Sequence, residues 1–220
     1  MTSRFRREAV LIVAALAWLA ACGVAAAQAV EPLRGFVVDV QGATSSYPSD
    51  ASIGVPRGIA ETNLPTRGLG IQVGAHAYPA RWGSATLGFG ASFLWTSGSK
   101  GPEPDDAEPP VAVEATEVTT RMTALMPQVS LNFGTGRGWS YLSGGIGTAS
   151  LTVSAGDPEE PGGQVFAWNA GGGARWLFRD HLAFSFDARF LGLSSREASD
   201  GSPGHPSTMR FVLSAGLSFR

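Results

Sequence analysis

Apolar and polar residues alternate along most of this chain with a period of two, the repeat of a strand whose successive side chains point to opposite faces. In the stretch Gly35–Ala43, Phe36, Val38 and Val40 share one face, while Asp39 and Gln41 lie on the other. In Arg67–Tyr78, Leu69, Ile71, Val73, Ala75 and Ala77 oppose Gly70, Gln72, Gly74, His76 and Tyr78. The same split recurs in Ser84–Ser97, Val165–Leu177, Leu182–Leu191 and Met209–Phe219. Two further stretches are less regular. Val118–Phe133 contains Pro127, which removes a ladder donor, and Trp139–Val153 is rich in Gly and Ser. The pattern predicts eight strands.

The connections alternate in length. Segments 79–83, 134–138 and 178–181 are short, whereas 44–66, 98–117, 154–164 and 192–208 are long and rich in Pro, Gly, Ser and acidic residues. Short turns at one end and long loops at the other are the pattern of a bacterial outer-membrane barrel. An even strand number places both termini at the short-turn end, the periplasmic one. The expected fold is therefore all-β, an eight-stranded antiparallel up-and-down transmembrane β-barrel.

A soluble sandwich would show the same alternation with its apolar face inward. Three features favour a barrel in lipid. Aromatics gather at two heights: Trp82, Phe133, Trp139, Tyr141, Trp176, Phe178 and Phe219 toward the short turns, and Trp95, Phe166, Trp168, Phe190 and Phe211 toward the long loops. Such girdles mark the two membrane interfaces. Closure satisfies every backbone donor and acceptor without water. Small residues on the polar face suit an eight-stranded lumen, which is just wide enough for side chains to fill. Gly70, Gly74, Gly88, Gly90, Gly171 and Gly173 are expected to make room there for larger polar side chains.

Composition agrees with this. Of 220 residues only 15% are charged, and glycine occurs 29 times. A net charge of -2 without a Lys/Arg cluster in the body of the chain indicates no nucleic-acid partner. The first residues read as an export signal: Arg4, Arg6 and Arg7, then an apolar run from Ala9 to Ala21, then small-residue cleavage sites after Ala27 or Ala29. The domain expectation is a signal peptide over 1–29 and a barrel over 30–220, delivered to the bacterial outer membrane. Cys22 is the sole cysteine, and Leu19–Gly23 also resembles a lipobox, so lipidation at Cys22 is a second processing route.

The stretch Phe166-Ala167-Trp168-Asn169-Ala170-Gly171-Gly172-Gly173-Ala174-Arg175-Trp176, continued by Arg179-Asp180-His181-Leu182 and Phe184–Arg189, is similar to the Gly-rich sixth strand and following hairpin of small outer-membrane barrels. Over residues 33 to 219 the chain resembles the OmpA-transmembrane-domain, OmpX and OmpW-like proteins. This likeness marks an architecture and no particular activity. Such barrels usually end in an aromatic residue that resembles a barrel-assembly recognition signal; here Phe219 is followed by Arg220.

Candidate chemistry centres on the lumen. Asp39, His76, Arg175, Asp187, Arg189 and Arg210 all face inward by parity, and charges in a narrow lumen must pair or meet water. They are expected to form a structural plug network, with a small pore for minor solutes as the alternative. Some eight-stranded outer-membrane proteins modify lipid A through Ser and His near the rim. His76, His181 and His205 stand in no recognisable Ser-His-acid arrangement, so the expectation is no enzyme, no cofactor and no metal ligand set. The long loops hold most of the acidic residues; loop 98–117 carries Glu103, Asp105, Asp106, Glu108, Glu114 and Glu117 against Lys100. Carboxylates are hard oxygen ligands, so the loops are candidates for sharing divalent cations with lipopolysaccharide phosphates. The expected partners are outer-membrane lipids, lipopolysaccharide and the barrel-assembly machinery.

Overall fold

A computed structural model describes residues 33, 35–82, 84–101, 117–135, 137–156, 162–198 and 203–220. Its eight strands are β1 (Phe36–Ser46), β2 (Arg67–Trp82), β3 (Ala85–Lys100), β4 (Val118–Thr135), β5 (Gly138–Ala155), β6 (Gln164–Arg179), β7 (Leu182–Leu193) and β8 (Thr208–Phe219). Each pairs antiparallel with the next, and β1 closes on β8. No strand edge is left open, which a bilayer requires.

The strands follow the alternation, and several outrun it. β4 and β5 have 18 residues each, against 12 in β7 and β8. About 10 residues are enough to span the hydrocarbon, so the longer walls rise beyond it. β4 runs through Pro127, which still pairs with Ala91 of β3. The cost falls on the β5 side, where the ladder skips from Leu125–Thr148 to Gln128–Gly145 without changing register. A missing N–H interrupts one ladder locally and leaves the strand intact.

The outward face carries Phe36, Leu69, Ile71, Phe89, Phe93, Leu125, Val129, Ile146, Phe166, Phe184, Phe186, Phe190 and Phe211, all exposed. On β4 the apolar outer positions run from Leu125 to Phe133, about 27 Å of strand at about 3.4 Å per residue. A tilt near 40° reduces this to about 21 Å of height, close to the roughly 25 Å apolar band of outer-membrane barrels. The girdle residues Phe133, Trp176, Phe178 and Phe219 toward the short turns, and Trp95, Phe166, Trp168, Phe190 and Phe211 toward the long loops, do face outward.

Two members of the expected girdle do not. Trp139 and Tyr141 point into the lumen, 3% and 4% exposed. With Val37 and Tyr78 they form an apolar floor at the short-turn end, where the Tyr78 and Trp139 rings meet edge to face at 6.2 Å. The Trp82 side chain, residues 1–32 with Cys22, and most of loop 98–117 lie outside the described residues.

Candidate functional site

The lumen has three levels. Above the aromatic floor lies a layer of paired charges. Asp39 on β1 accepts hydrogen bonds from Arg175 on β6, Nε to Oδ1 at 2.9 Å and Nη2 to Oδ2 at 2.6 Å. Ser218 donates to the same carboxylate at 2.5 Å, and His76 Nε2 stands 3.6 Å from it. The Arg175 guanidinium also lies over the Tyr141 ring, 4.4 Å from its centroid.

A second pair sits beside the first. Arg189 donates to Asp187 through Nε at 2.5 Å and Nη2 at 2.6 Å. Tyr141 Oη donates to Asp187 at 2.6 Å, and Arg189 Nη1 donates to Gln128 Oε1 at 3.1 Å. Gln128 Nε2 lies 3.3 Å from His76 Nε2, which links the two pairs. Gln72 Nε2 donates to Gln41 Oε1 and Gln41 Nε2 donates to Ser185 Oγ, both at 2.9 Å. Asp187 is 0% and Arg175 2% exposed. Such burial is tolerated because each charge meets an opposite charge at hydrogen-bonding distance.

Glycines create this space. A Cβ on Gly90 would come to 2.5 Å from His76 Nδ1, and one on Gly173 would come to 2.6 Å from Tyr141 Oη. The inward glycine positions and the large polar side chains are therefore two halves of one packing arrangement.

The structure thus brings together Asp39, His76, Arg175, Asp187 and Arg189 and leaves Arg210 apart. Arg210 lies nearer the long loops, its guanidinium 5.1 Å from the Tyr47 ring centroid and its Nη1 3.4 Å from the Ser46 carbonyl oxygen. Here the cation rests on an aromatic face instead of a carboxylate.

The third level is apolar, which the sequence reading of a polar lumen did not anticipate. Leu94, Met122, Ala124, Met126, Leu151, Val153, Ala167, Leu191 and Val212 fill the long-loop half of the lumen. The first long loop covers them. Its short helix α1 (Ala51–Gly54) and two 3₁₀ turns, Val55–Arg57 and Glu61–Asn63, press Ile53, Ile59 and Leu64 into the same cluster. Asp50 caps α1 by accepting from Ser52 N at 2.8 Å, which holds its carboxyl below the usual carboxylate range. Tyr47 Oη hydrogen-bonds Thr96 Oγ1 at 2.7 Å. Arg57 ties this cap to the last long loop, donating to the carbonyls of Gly204 at 3.2 Å and Pro203 at 3.0 Å. That loop is itself bridged by Arg196 and His205. The cap's signal was present in the sequence as Tyr47, Ile53, Ile59 and Leu64, four large apolar residues in a loop.

Among the described residues, no group of three or more His, Cys, Asp or Glu is arranged to hold a metal ion. His76 is held inside the charged layer, and His205 packs in the last long loop with Nδ1 3.0 Å from the Pro206 carbonyl oxygen.

Over residues 14–219 the sequence matches the outer membrane protein β-barrel domain family. No curated protein matches it. Among solved structures, Neisserial surface protein A is similar with a TM-score of 0.55 at 12% identity, covering 84% of this chain and 96% of that one. Ail, the attachment invasion locus protein of Yersinia pestis, has a TM-score of 0.47 at 14% identity, covering 85% and 100%. The N-terminal barrel domain of Pseudomonas aeruginosa OprF has a TM-score of 0.39 at 14% identity, covering 84% and 97%.

Proposed function

The chain belongs to the outer membrane β-barrel family, and from that premise we propose that it is a non-enzymatic surface protein of the bacterial envelope, with a closed lumen and an interaction role carried by its long loops. The bacterial outer membrane is where this family resides; residues 1–29 would direct export there. The observation that carries the reading is the filled lumen. Asp39–Arg175 crosses its middle, and the Asp187–Arg189 pair on β7 reaches β5 through Tyr141 and β4 through Gln128; Met122 and Val212 are 0% exposed above them, and the first loop packs Ile53 and Leu64 over the top. A barrel built this way works through its surface. Loops on a rigid scaffold are where recognition concentrates.

The pore reading would need a continuous wet path, and paired charges with apolar packing above them oppose one. In this account the partners are outer-membrane lipids, lipopolysaccharide and the barrel-assembly machinery, with divalent cations bridging acidic loop residues to lipid phosphates. The deciding experiment is reconstitution into planar bilayers. The closed-lumen reading expects a silent protein, and reproducible small conductance steps would replace it with the pore. Lipid A recovered from cells making the protein, compared by mass spectrometry with lipid A from cells lacking it, is expected to be unchanged; a difference in acyl chains would make the protein an enzyme.

A further inference from the structure

The outer face of the described strands carries very little charge. Apart from Arg179 at the periplasmic end of β6, Arg67 on β2 and Arg121 on β4 are the charged side chains there, and both are exposed. They lie close together. Ser97 of β3 sits between their strands, paired with Leu69 on one side and Arg121 on the other. Gly98 packs against the Arg67 carbonyl. Two strand spacings of about 4.8 Å, with a two-residue offset of about 7 Å along the strands, put their backbones about 12 Å apart, which two arginine side chains can close around one phosphate.

Their surroundings are also unlike the rest of the lipid face. At this height the wall reverses its pattern. Leu151 and Val153 point inward, while Ser97, Ser99, Thr123 and Thr152 point outward beside Arg121. Directly below, Trp95, Leu69 and Leu125 resume the apolar band. The patch therefore sits where strands too long for the hydrocarbon emerge from it on the long-loop side, the level at which lipid phosphates and sugars of the outer leaflet lie. An outward charge is tolerated best at this depth.

We infer that Arg67, Arg121 and the hydroxyls of Ser97, Ser99, Thr123 and Thr152 form a binding site for a phosphorylated, multiply acylated glycolipid of the outer leaflet, the lipid A moiety of lipopolysaccharide. The inference rests on the outer-membrane placement proposed above. Arginine forks bind phosphate oxygens in bidentate fashion. The hydroxyls suit a sugar lying against the emergent wall. The acyl chains lie along the apolar band below Trp95. A compact phospholipid headgroup would leave much of this patch unused.

The test uses the full barrel refolded into phosphatidylcholine nanodiscs, with folding of every variant confirmed by heat-modifiable migration. Diphosphorylated lipid A, dephosphorylated lipid A or phosphatidylglycerol is added, and retained lipid is counted by native mass spectrometry. The wild type is expected to retain diphosphorylated lipid A about tenfold better than either other lipid, an effect on the scale of one charge-assisted contact. The double variant R67Q/R121Q is expected to lose that preference, R67K/R121K to keep part of it, and R179Q to keep all of it. A folded R67Q/R121Q that retains lipid A like the wild type overturns the site. Equal retention of phosphatidylglycerol by the wild type overturns the choice of glycolipid. A wild type that does not insert into nanodiscs overturns the outer-membrane reading itself, an outcome distinct from insertion without lipid A preference.

Discussion

Asp39 on β1 and Arg175 on β6 belong to strands that share no ladder, yet they meet in a two-pronged ion pair across the lumen, with Ser218 closing the third contact. The pair joins opposite walls at the level where His76 and Gln128 reach the Asp187–Arg189 pair. A barrel wall held only by its ladders can breathe; a wall tied across its diameter cannot do so without exposing a charge to a site built for its partner.

Removing one partner alone is therefore expected to be costly. Asp39→Ala or Arg175→Met leaves a buried, uncompensated ion, which costs about 3–5 kcal/mol. The paired replacement Asp39→Leu with Arg175→Met is expected to be milder than either single change. Urea titration of the detergent-folded barrel, read by heat-modifiable migration, measures all three. A single variant as stable as the wild type would contradict the cross-lumen role.

The glycines opposite these side chains give a second expectation. Gly173→Val drives atoms against the Phe186 carbonyl oxygen of the paired strand and into the place where Tyr141 stands against Asp187. Overpacking at such a site costs about 1–3 kcal/mol. The same change at Gly144, whose nearest atom to an added Cβ is the Asn169 carbonyl oxygen at 3.5 Å, is expected to cost much less. Equal losses at the two positions would show that lumen crowding is not what glycine relieves.

The cap offers a third test. Arg57 donates to the carbonyls of Ile53, Pro203 and Gly204 and so holds two loops together. Arg57→Ala is expected to raise amide exchange in residues 50–64 and 203–207 by about tenfold or more, since a hydrogen bond to a charged group contributes about 1.5–3 kcal/mol. Exchange in β3 and β4 is expected to stay unchanged. Uniform acceleration throughout the barrel would mean that the cap does not open independently.

The last loop should respond to acid. Burial pushes the His205 imidazole below its ordinary value, with Arg210, Arg57 and Arg196 acting in the same direction, although the Pro206 carbonyl opposes them. The opened loop then binds a proton more readily than the closed one. Its stability is fully present above about pH 6.5 and is lost as the pH falls below that value. Limited proteolysis of residues 192–208 at pH 7.5 and pH 5 is expected to show faster cutting in acid, and His205→Phe is expected to remove most of the difference.

Strand number, strand faces and the alternation of connection lengths were legible because a period of two is written residue by residue wherever one face is apolar. The inward position of Asp39, His76, Arg175, Asp187 and Arg189 followed from the same parity. Their pairing did not, since it depends on which strands face one another across the closed barrel. β5 was the hardest to read. Its outer positions Thr148, Ser150 and Thr152 are polar while Ala149, Leu151 and Val153 point inward. Trp139 and Tyr141 also face the lumen there, so aromatic height alone put them in the wrong layer. For Leu151 and Val153 the reason is physical: where the wall stands above the hydrocarbon at the long-loop end, lipid no longer covers its outside, and the inside becomes the place to bury apolar groups. The cap was hidden because loop residues such as Ile53 and Leu64 have no periodicity to betray the surface they cover.

A membrane barrel is defined by what its apolar outer face touches. Single cysteines introduced at Leu87, Phe186 and Leu213, in a chain whose native Cys22 is replaced by serine, can carry spin labels in nanodiscs. The labels are expected to be relaxed strongly by oxygen, which partitions into lipid, and weakly by a water-soluble nickel chelate. Labels accessible to the chelate, or shielded from both reagents in a protein that remains soluble without lipid, would contradict the membrane barrel.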